Sequence, residues 1–380
     1  FRNANEPGEL TRQNFQVTSC GMKECMAEVV KRLDWKGKKG NGNGRGVGMA
    51  SLIHVGGGAR VYKSDGCGTI IKMDDRGKVD VLTGATEIGQ GSETVIAQIV
   101  AEVLGVPIDD INVINNDTDV CPWDVGAHAS RSTFVAGNSA LGAARKIREQ
   151  MLAVAAQNMG EDPASLDIKN GVVFSRNDKE KSLPLSKVLR KVHYTSGGKM
   201  FMAEHFYDPP NENFDKEFKG NLSVSYAYGV HGVEVEVDRE TGQVKILNYI
   251  AAHDVGKAIN PMLLEGQIYG GGLMGIGYAL GETMIYEKGR LKNGNFLDYK
   301  MPTAKDVPPV QAVIVETDEQ AGPFGAKGIG EPGLVPTAPA IANAIYDAVG
   351  VRIKDLPITP EKVLRALQEK AQADTGRSGA

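Results

Sequence analysis

The chain has 380 residues, 41% hydrophobic and 24% charged, enough apolar side chain for a sizeable core and a length prior of roughly two to three domains. Lys and Arg total 43 against 47 Asp and Glu, a net charge of −4, so no basic surplus points to nucleic acid or an anionic membrane. No apolar run reaches the roughly 20 residues of a membrane span, and Phe1-Arg2-Asn3-Ala4-Asn5 reads as neither signal nor transit peptide.

The first residue is not Met, which leads us to expect a processed, trimmed or partial chain. Residues 1–34 read as a loop and then a helix, with Ser19 as a plausible cap and Met26, Val29, Val30 and Leu33 at helical spacing. The basic, Gly-rich run 36–47 reads as solvated linker. A strand over Gly48–Ile53 follows. Residues 69–72 and 78–83 then flank Asp74-Asp75-Arg76-Gly77, a hairpin turn with glycine where a positive φ is needed. Helices are expected over about 93–104 and 139–158, with a strand at Ile111–Ile114 between them.

In the second half Val233-Glu234-Val235-Glu236-Val237 alternates with period 2, 238–242 turns, and 244–250 returns. A glycine-containing helix is expected over about 262–280, a strand over 311–316 and a helix over 337–349. A last helix opens with Thr359 as N-cap and Pro360 at its first position. MDDRGKVDVL (73–82) and VDRETGQVKIL (237–247) both read strand, acidic turn with glycine, strand, then Gly-rich loop and helix. This suggests a weak internal duplication, against the alternative that such hairpins are common.

Glycine is the compositional outlier: 47 residues, against a usual share of about 7%, clustered in short tracts that suit close backbone approach to a bound group. The four cysteines form no C-x-x-C pair, which argues against a zinc or iron–sulfur site in this chain. Free thiols without a secretion signal favour a cytoplasmic setting.

Four constellations could carry chemistry. Gly325-Ala326-Lys327-Gly328-Ile329-Gly330-Glu331-Pro332 places three glycines ahead of one carboxylate. It lacks Walker A spacing, and Glu331 suits a general base or, equally, a helix cap or a partner of Lys327. Gly89-Gln90-Gly91-Ser92 offers an amide between glycines, or a simple turn. The run from Gly126 to Thr133 precedes a helix, and its small hydroxyl residues suit an anion, or merely cap it; His128 alone reads as a surface or structural histidine. His253-Asp254 invites a hydrolase reading, yet adjacent strand residues face opposite ways and no nucleophile elbow occurs.

Taken in order, TEIGQGSET, DVGAHASRSTFVAGNSALGAA, GVEVEVDRETGQVKI with AAHDVGKAINP, GQIYGGGLMGIGYAL, LDYKMPT and GAKGIGEPGLVPTAPAIANAIYDAVGVRI resemble the molybdopterin-binding subunit of the molybdenum hydroxylases, the xanthine dehydrogenase and aldehyde oxidoreductase family. The resemblance covers nearly the whole chain and matches that family's C-terminal half. CPWDVGAHASRST looks most like the 4-hydroxybenzoyl-CoA reductase and carbon monoxide dehydrogenase branch. The fold implied is α+β: repeated β-hairpin-plus-helix units, in mixed sheets with helices packed on them. We expect a helical lead-in and linker (1–47), a first cofactor-binding subdomain (48–200) and a second (201–380) carrying the GEP loop.

The resemblance implies that Glu331 is the general base. It implies that Gln90 and Gly91 contact the pterin, that Ala129, Ser130, Arg131, Ser132 and Thr133 hold cofactor phosphate and pterin, that the backbone of Lys327 and Gly328 lies near the metal, and that Gln267 is a further cofactor neighbour. Molybdenum would be held by the pterin dithiolene with no protein ligand, the cytosine dinucleotide form being one option. The chemistry implied is water-derived hydroxylation, or the reverse dehydroxylation, of an aromatic or heterocyclic, aryl-CoA or aldehyde substrate. The family's N-terminal half, with its own glycine-rich loops, is missing here. The expected partners are therefore an N-terminal-half subunit or fragment, an iron–sulfur subunit with [2Fe-2S] and an FAD subunit, with no nucleic acid. Two other readings stand beside this one: an assembly subunit that keeps the fold without the cofactor, and the His253–Asp254 hydrolase.

Overall fold

The computed structural model describes residues 1–40, 42–58, 63–178 and 180–378. In chain order the elements are α1 (Met22–Leu33), α2 (Trp35–Lys38), β1 (Arg45–Val55), β2 (Cys67–Met73), β3 (Val79–Thr83), α3 (Ser92–Leu104), β4 (Ile111–Ile114) and α4 (Gly137–Met159). Then come β5 (Leu166–Lys169), β6 (Val172–Ser175), β7 (Ser182–Pro184), α5 (Leu185–Thr195), β8 (Phe201–Tyr207), β9 (Tyr226–Val237) and β10 (Val244–Asp254). The chain continues through α6 (Pro261–Leu280), β11 (Tyr286–Glu287), β12 (Arg290–Leu291), β13 (Val310–Val315), α7 (Thr337–Val349) and α8 (Pro360–Ser378). The fold is α+β with mixed sheets.

Two four-stranded sheets run β4-β3-β2-β8 and β13-β10-β9-β1. In each, an antiparallel hairpin (β2–β3, β9–β10) gains a parallel neighbour on its second strand and an antiparallel neighbour on its first. A helix, α3 or α6, lies in sequence between the hairpin and its parallel strand, and α4 or α7 follows that strand. The two halves thus repeat one topology, as the hairpin motifs suggest. Each hairpin turn is held by its first aspartate: Asp74 Oδ1 accepts the N–H groups of Arg76 and Lys78, and Asp238 Oδ1 accepts those of Glu240 and Thr241. The outer strands cross over. β1 precedes the first hairpin but pairs with β9, and β8 pairs back with β2, so the stretches read as separate subdomains exchange strands.

The second sheet is buried on both faces. Val233, Val235 and Val237 face α6 and α7 with Tyr249 and Ile341, while Val29 and Leu33 of α1 cover the other face with Tyr228 and Ile250. Two glycines fix how closely α7 sits. A β-carbon on Gly46 or Gly48 would overlap the α7 backbone near Ala348, Ala344 and Ala340, so the small-residue stripe of α7 lies directly on β1. A sheet carrying side chains at those positions would hold the helix farther off.

The sequence reading needs three corrections here. Ser19 does not cap α1; Gly21 precedes the helix, and the Ser19 hydroxyl instead donates to the buried carboxylate of Glu319 at 2.9 Å. The run 36–47 is not plain linker: it contains α2 and opens β1 at Arg45, with Lys38 paired to Glu234 at 2.6 Å and Arg45 to Glu236 at 2.9 Å. The long helix is entered earlier than expected, because a π-type turn over Ser132–Ala136 leads straight into α4.

Candidate active site and cofactor cradle

A cavity of about 300 Å³ opens where four segments meet: the 86–92 loop, the 127–133 loop, the start of α6 and the loop 326–331. Of the residues singled out from sequence, Gln90, Ser130, Arg131, Ser132, Thr133, Gln267, Lys327, Gly328 and Glu331 line it. Gly91 and Ala129 sit beside it without lining it.

The 325–331 loop is pinned to the end of β10. Lys257 N–H donates to the Gly325 carbonyl at 2.7 Å, and Lys327 N–H donates to the Val255 carbonyl at 2.9 Å. The Lys327 side chain is wholly buried behind the loop. Its ammonium donates to Asp254 Oδ2 at 2.7 Å and to the Ser19 carbonyl at 3.2 Å, and it lies 5.2 Å from the Tyr228 ring centroid. Lys327 thus presents main chain to the cavity, and it pairs with Asp254 rather than with Glu331. Asp254 is further held by the N–H groups of Gly21 and Gly256 and by the Thr317 hydroxyl.

Gly328 faces the 127–133 loop. A β-carbon there would overlap the Ser130 carbonyl oxygen, so only glycine lets the two loops meet. Ala129 and Ser130 both take left-handed backbone, at φ +49° and +53°, and Arg131 then returns to right-handed geometry. Consecutive non-glycine residues there cost about 1–3 kcal/mol each, strain that recurs at ligand-binding turns. The Arg131 N–H closes the turn by donating to the His128 carbonyl at 3.2 Å.

Arg131 is what holds this turn. Its side chain is 1% exposed and lies 3.0 Å from Asp65 and 2.8 Å from Asp124. It also donates to the carbonyls of Gly126, Asp65 and Gly66. Burial pushes the Asp65 carboxyl up, while the Arg131 charge and the Gly58 N–H pull it back. Arg131 therefore borders the cavity with its guanidinium committed to the protein. Asp65 and Asp124, which sequence reasoning missed, fix it.

The 86–92 loop is organised by another missed residue. Glu87 accepts the N–H groups of Gly89, Gly91 and Glu93 and the Ser92 hydroxyl. Burial opposes its charge, but those donors together hold its carboxyl below the usual range. Gln90 folds into the same loop, donating to the Thr86 carbonyl and accepting from the Ile88 N–H. Gln267 reaches the cavity from α6, which Asn260 caps by accepting the Leu263 N–H at 3.1 Å. Glycines let α6 approach: β-carbons on Gly271 and Gly275 would come within 2.7 Å of Gly333 and 2.5 Å of Thr337.

Glu331 stands at the cavity's edge with its side chain 48% exposed. Its N–H donates to Ser130 Oγ at 2.9 Å, and the same hydroxyl donates back to Glu331 Oε2. Oε1 has no partner among the described residues.

The hydrolase reading fails on geometry. Asp254 points toward α1 and Lys327. His253 points to the opposite face, where its Nε2 lies 2.8 Å from Nε2 of His231 in a buried group with Tyr249 and Thr337. Burial pushes His253 down to about 3, only partly offset by Asp254.

The cradle fits a polar organic group. Its lining combines main chain, hydroxyls and amides with a strained left-handed turn, and the buried Nε2 of His128 on its wall has no partner among the described residues. Among the described residues no group of three or more His, Cys, Asp or Glu side chains converges. Duplicated sheet-and-helix units meeting at such a cradle define a cofactor-binding α+β protein.

A sequence model described as the molybdopterin cofactor-binding domain matches residues 26–308. The xanthine dehydrogenase molybdenum-binding subunit of Escherichia coli O157:H7 is 36% identical over 96% of this chain and 48% of its own length. Among solved structures, quinoline 2-oxidoreductase from Pseudomonas putida 86 superposes with a TM-score of 0.82 at 28% identity, covering 95% of this chain and 48% of that one. CO dehydrogenase from Oligotropha carboxidovorans shares the fold, with a TM-score of 0.86 at 24% identity over 97% of this chain and 48% of that one. The chain belongs to the molybdopterin-binding large-subunit family of the molybdenum hydroxylases. It spans about half the length of these relatives. No described helix is long and apolar enough to cross a membrane.

Proposed function

We propose that this chain is the C-terminal half of the catalytic, molybdenum-cofactor-binding subunit of a molybdenum hydroxylase. The observation that carries the reading is Glu331, a carboxylate held by Ser130 at the edge of a glycine-lined cradle, with one oxygen left free. The cofactor would rest against the Gln90–Gly91 loop, the turn from Ala129 to Thr133, Gln267, and the main chain of Lys327 and Gly328. Its dinucleotide form would extend past the same turn. When bound, that group supplies the two-electron oxidation that accompanies incorporation of a water oxygen.

Glu331 acts as general base. Ser130 fixes Oε2 as an acceptor, so Oε1 is the oxygen available to take the proton from the attacking oxygen nucleophile. Arg131, Asp65 and Asp124 keep the cradle's turn in its strained form without reaching the substrate. Two of the relatives are named for xanthine and quinoline, so we take an electron-poor carbon of an N-heteroaromatic ring as the substrate class. Hydroxylation is the direction proposed.

The other half of the relatives' length would close the cavity, with iron–sulfur and FAD subunits carrying electrons onward. Exposed apolar side chains on α6 and the segment after it support such a companion: Met262, Met274, Tyr278, Met284, Phe296 and Leu297 are each more than half exposed. The test is elemental analysis of the purified native complex with mass spectrometry of its chains. About one molybdenum per copy, beside an N-terminal-half chain and an iron–sulfur chain, is the expected result. A folded, partnered preparation without molybdenum would overturn the reading and favour an assembly role.

A further inference from the structure

We propose that His54 is the proton relay that returns Glu331 to its basic form after each turnover, an inference that rests on reading Glu331 as the base. The sequence gives His54 no motif; the packing of α7 on β1 places it. Gly48 faces Ala340 and Ala344 of α7, and Gly46 faces Ala344 and Ala348, so moving up the strand means moving back along the helix. His54 shares their strand parity. Its position lies past the helix start, where the chain is the GEP turn. There His54 Nε2 comes 3.9 Å from Glu331 Oε2.

The ring's protonation is set by its other nitrogen. His54 Nδ1 lies 2.7 Å from the Val55 carbonyl oxygen. A carbonyl only accepts, so Nδ1 carries a hydrogen and the neutral ring keeps its lone pair on Nε2. That lone pair is the one beside Glu331. The 3.9 Å gap is bridged by a small ring rotation or by one water.

Ser130 and His54 both approach Oε2. Once Glu331 has taken a proton on Oε1, a half-turn of its carboxyl brings the protonated oxygen to the side where His54 approaches, and the acid gives the proton to Nε2, which regenerates the carboxylate and makes an imidazolium. The imidazolium then releases the proton to solvent through its own edge, which is 19% exposed. One proton enters and one leaves; no electrons move. Among the described residues, Glu331 is the one carboxylate within 4 Å of the imidazole. On β9 the residue opposite is Ala227, and its neighbours Tyr226 and Tyr228 are buried phenols. Burial pushes Tyr226 up to about 12 and Tyr228 higher still, so neither is charged at neutral pH.

Kinetics with chemical rescue test this. In the holoenzyme, His54→Ala should lose tenfold or more in kcat with little change in KM, and added imidazole should restore turnover saturably. His54→Gln, closer in size, should show the same loss. Imidazole should not rescue Glu331→Gln. A His54→Ala enzyme with wild-type kcat, or one whose lost turnover imidazole does not restore, would overturn the relay. If Glu331→Gln itself turns over normally, the base reading falls and takes the relay with it. If Glu331→Gln is inactive while His54→Ala is not, only the relay falls.

Discussion

Ser130 and Glu331, 201 residues apart, hold each other by two hydrogen bonds: the Glu331 N–H donates to the Ser130 hydroxyl, and that hydroxyl donates to the Glu331 carboxylate. The left-handed turn at Ala129–Ser130 and the glycine at 328 exist to bring these two together. Ser130→Ala removes both bonds while leaving the backbone turn. Each such bond is worth about 1 kcal/mol net, about 2 kcal/mol for the two, so kcat should fall by up to about thirtyfold with cofactor content unchanged. Steady-state rates normalised to molybdenum check this.

Gly328→Ala should act differently. The new β-carbon overlaps the Ser130 carbonyl, so the two loops must part and the cradle opens. We expect a folded chain with molybdenum content reduced several-fold, read by elemental analysis beside circular dichroism.

The buried pair of Lys327 and Asp254 anchors the GEP loop from behind, with both side chains at zero exposure. Lys327→Met strands a buried carboxylate and should cost about 3–5 kcal/mol in urea unfolding. Adding Asp254→Asn should recover part of that loss.

Much of this was legible in the sequence, for identifiable reasons. Helix α7 matches its expected bounds because alanines recur along it, at 338, 340, 342, 344 and 348, up to a glycine, Gly350, in left-handed geometry. The residues of GAKGIGEP, GQG and the SRST turn do meet in one cavity. Other features left little pattern. In β8, Met202 and Phe206 are apolar yet half exposed, which blurs the alternation with Phe201 and Ala203. The first half of β9 is buried on both faces, so Tyr226–Gly232 shows no period 2. The sheet β5-β6-β7 is built of strands of four residues or fewer, too short for periodicity. Arg131 looks like a phosphate ligand in sequence, but its two carboxylate partners lie 7 and 66 positions upstream. The proximity of His54 to Glu331 arises from how a strand and a helix register in space, which no local motif encodes.

Stability should fall with acid. His253 is wholly buried and pushed down to about 3 by burial, so between there and its ordinary value near 6.5 the unfolded chain binds a proton that the folded chain does not. Above that range the group contributes no pH dependence; as pH falls through it, stability is lost. From pH 7 to 5 this histidine alone should cost about 2 kcal/mol. His231, buried beside it and held low for the same reason, adds in the same direction. Urea unfolding at the two pH values, repeated in His253→Gln, reads the slope; a slope unchanged by the substitution would contradict the assignment.

The most direct test of the central claim is turnover per molybdenum in the Glu331→Gln holoenzyme. The glutamine keeps the side chain's size and the N–H bond to Ser130 but cannot take a proton. A fall of about 10²–10⁴-fold at unchanged molybdenum content is the expected result. Near-normal turnover in a fully loaded variant would show that the carboxylate at the edge of the cradle is not the base.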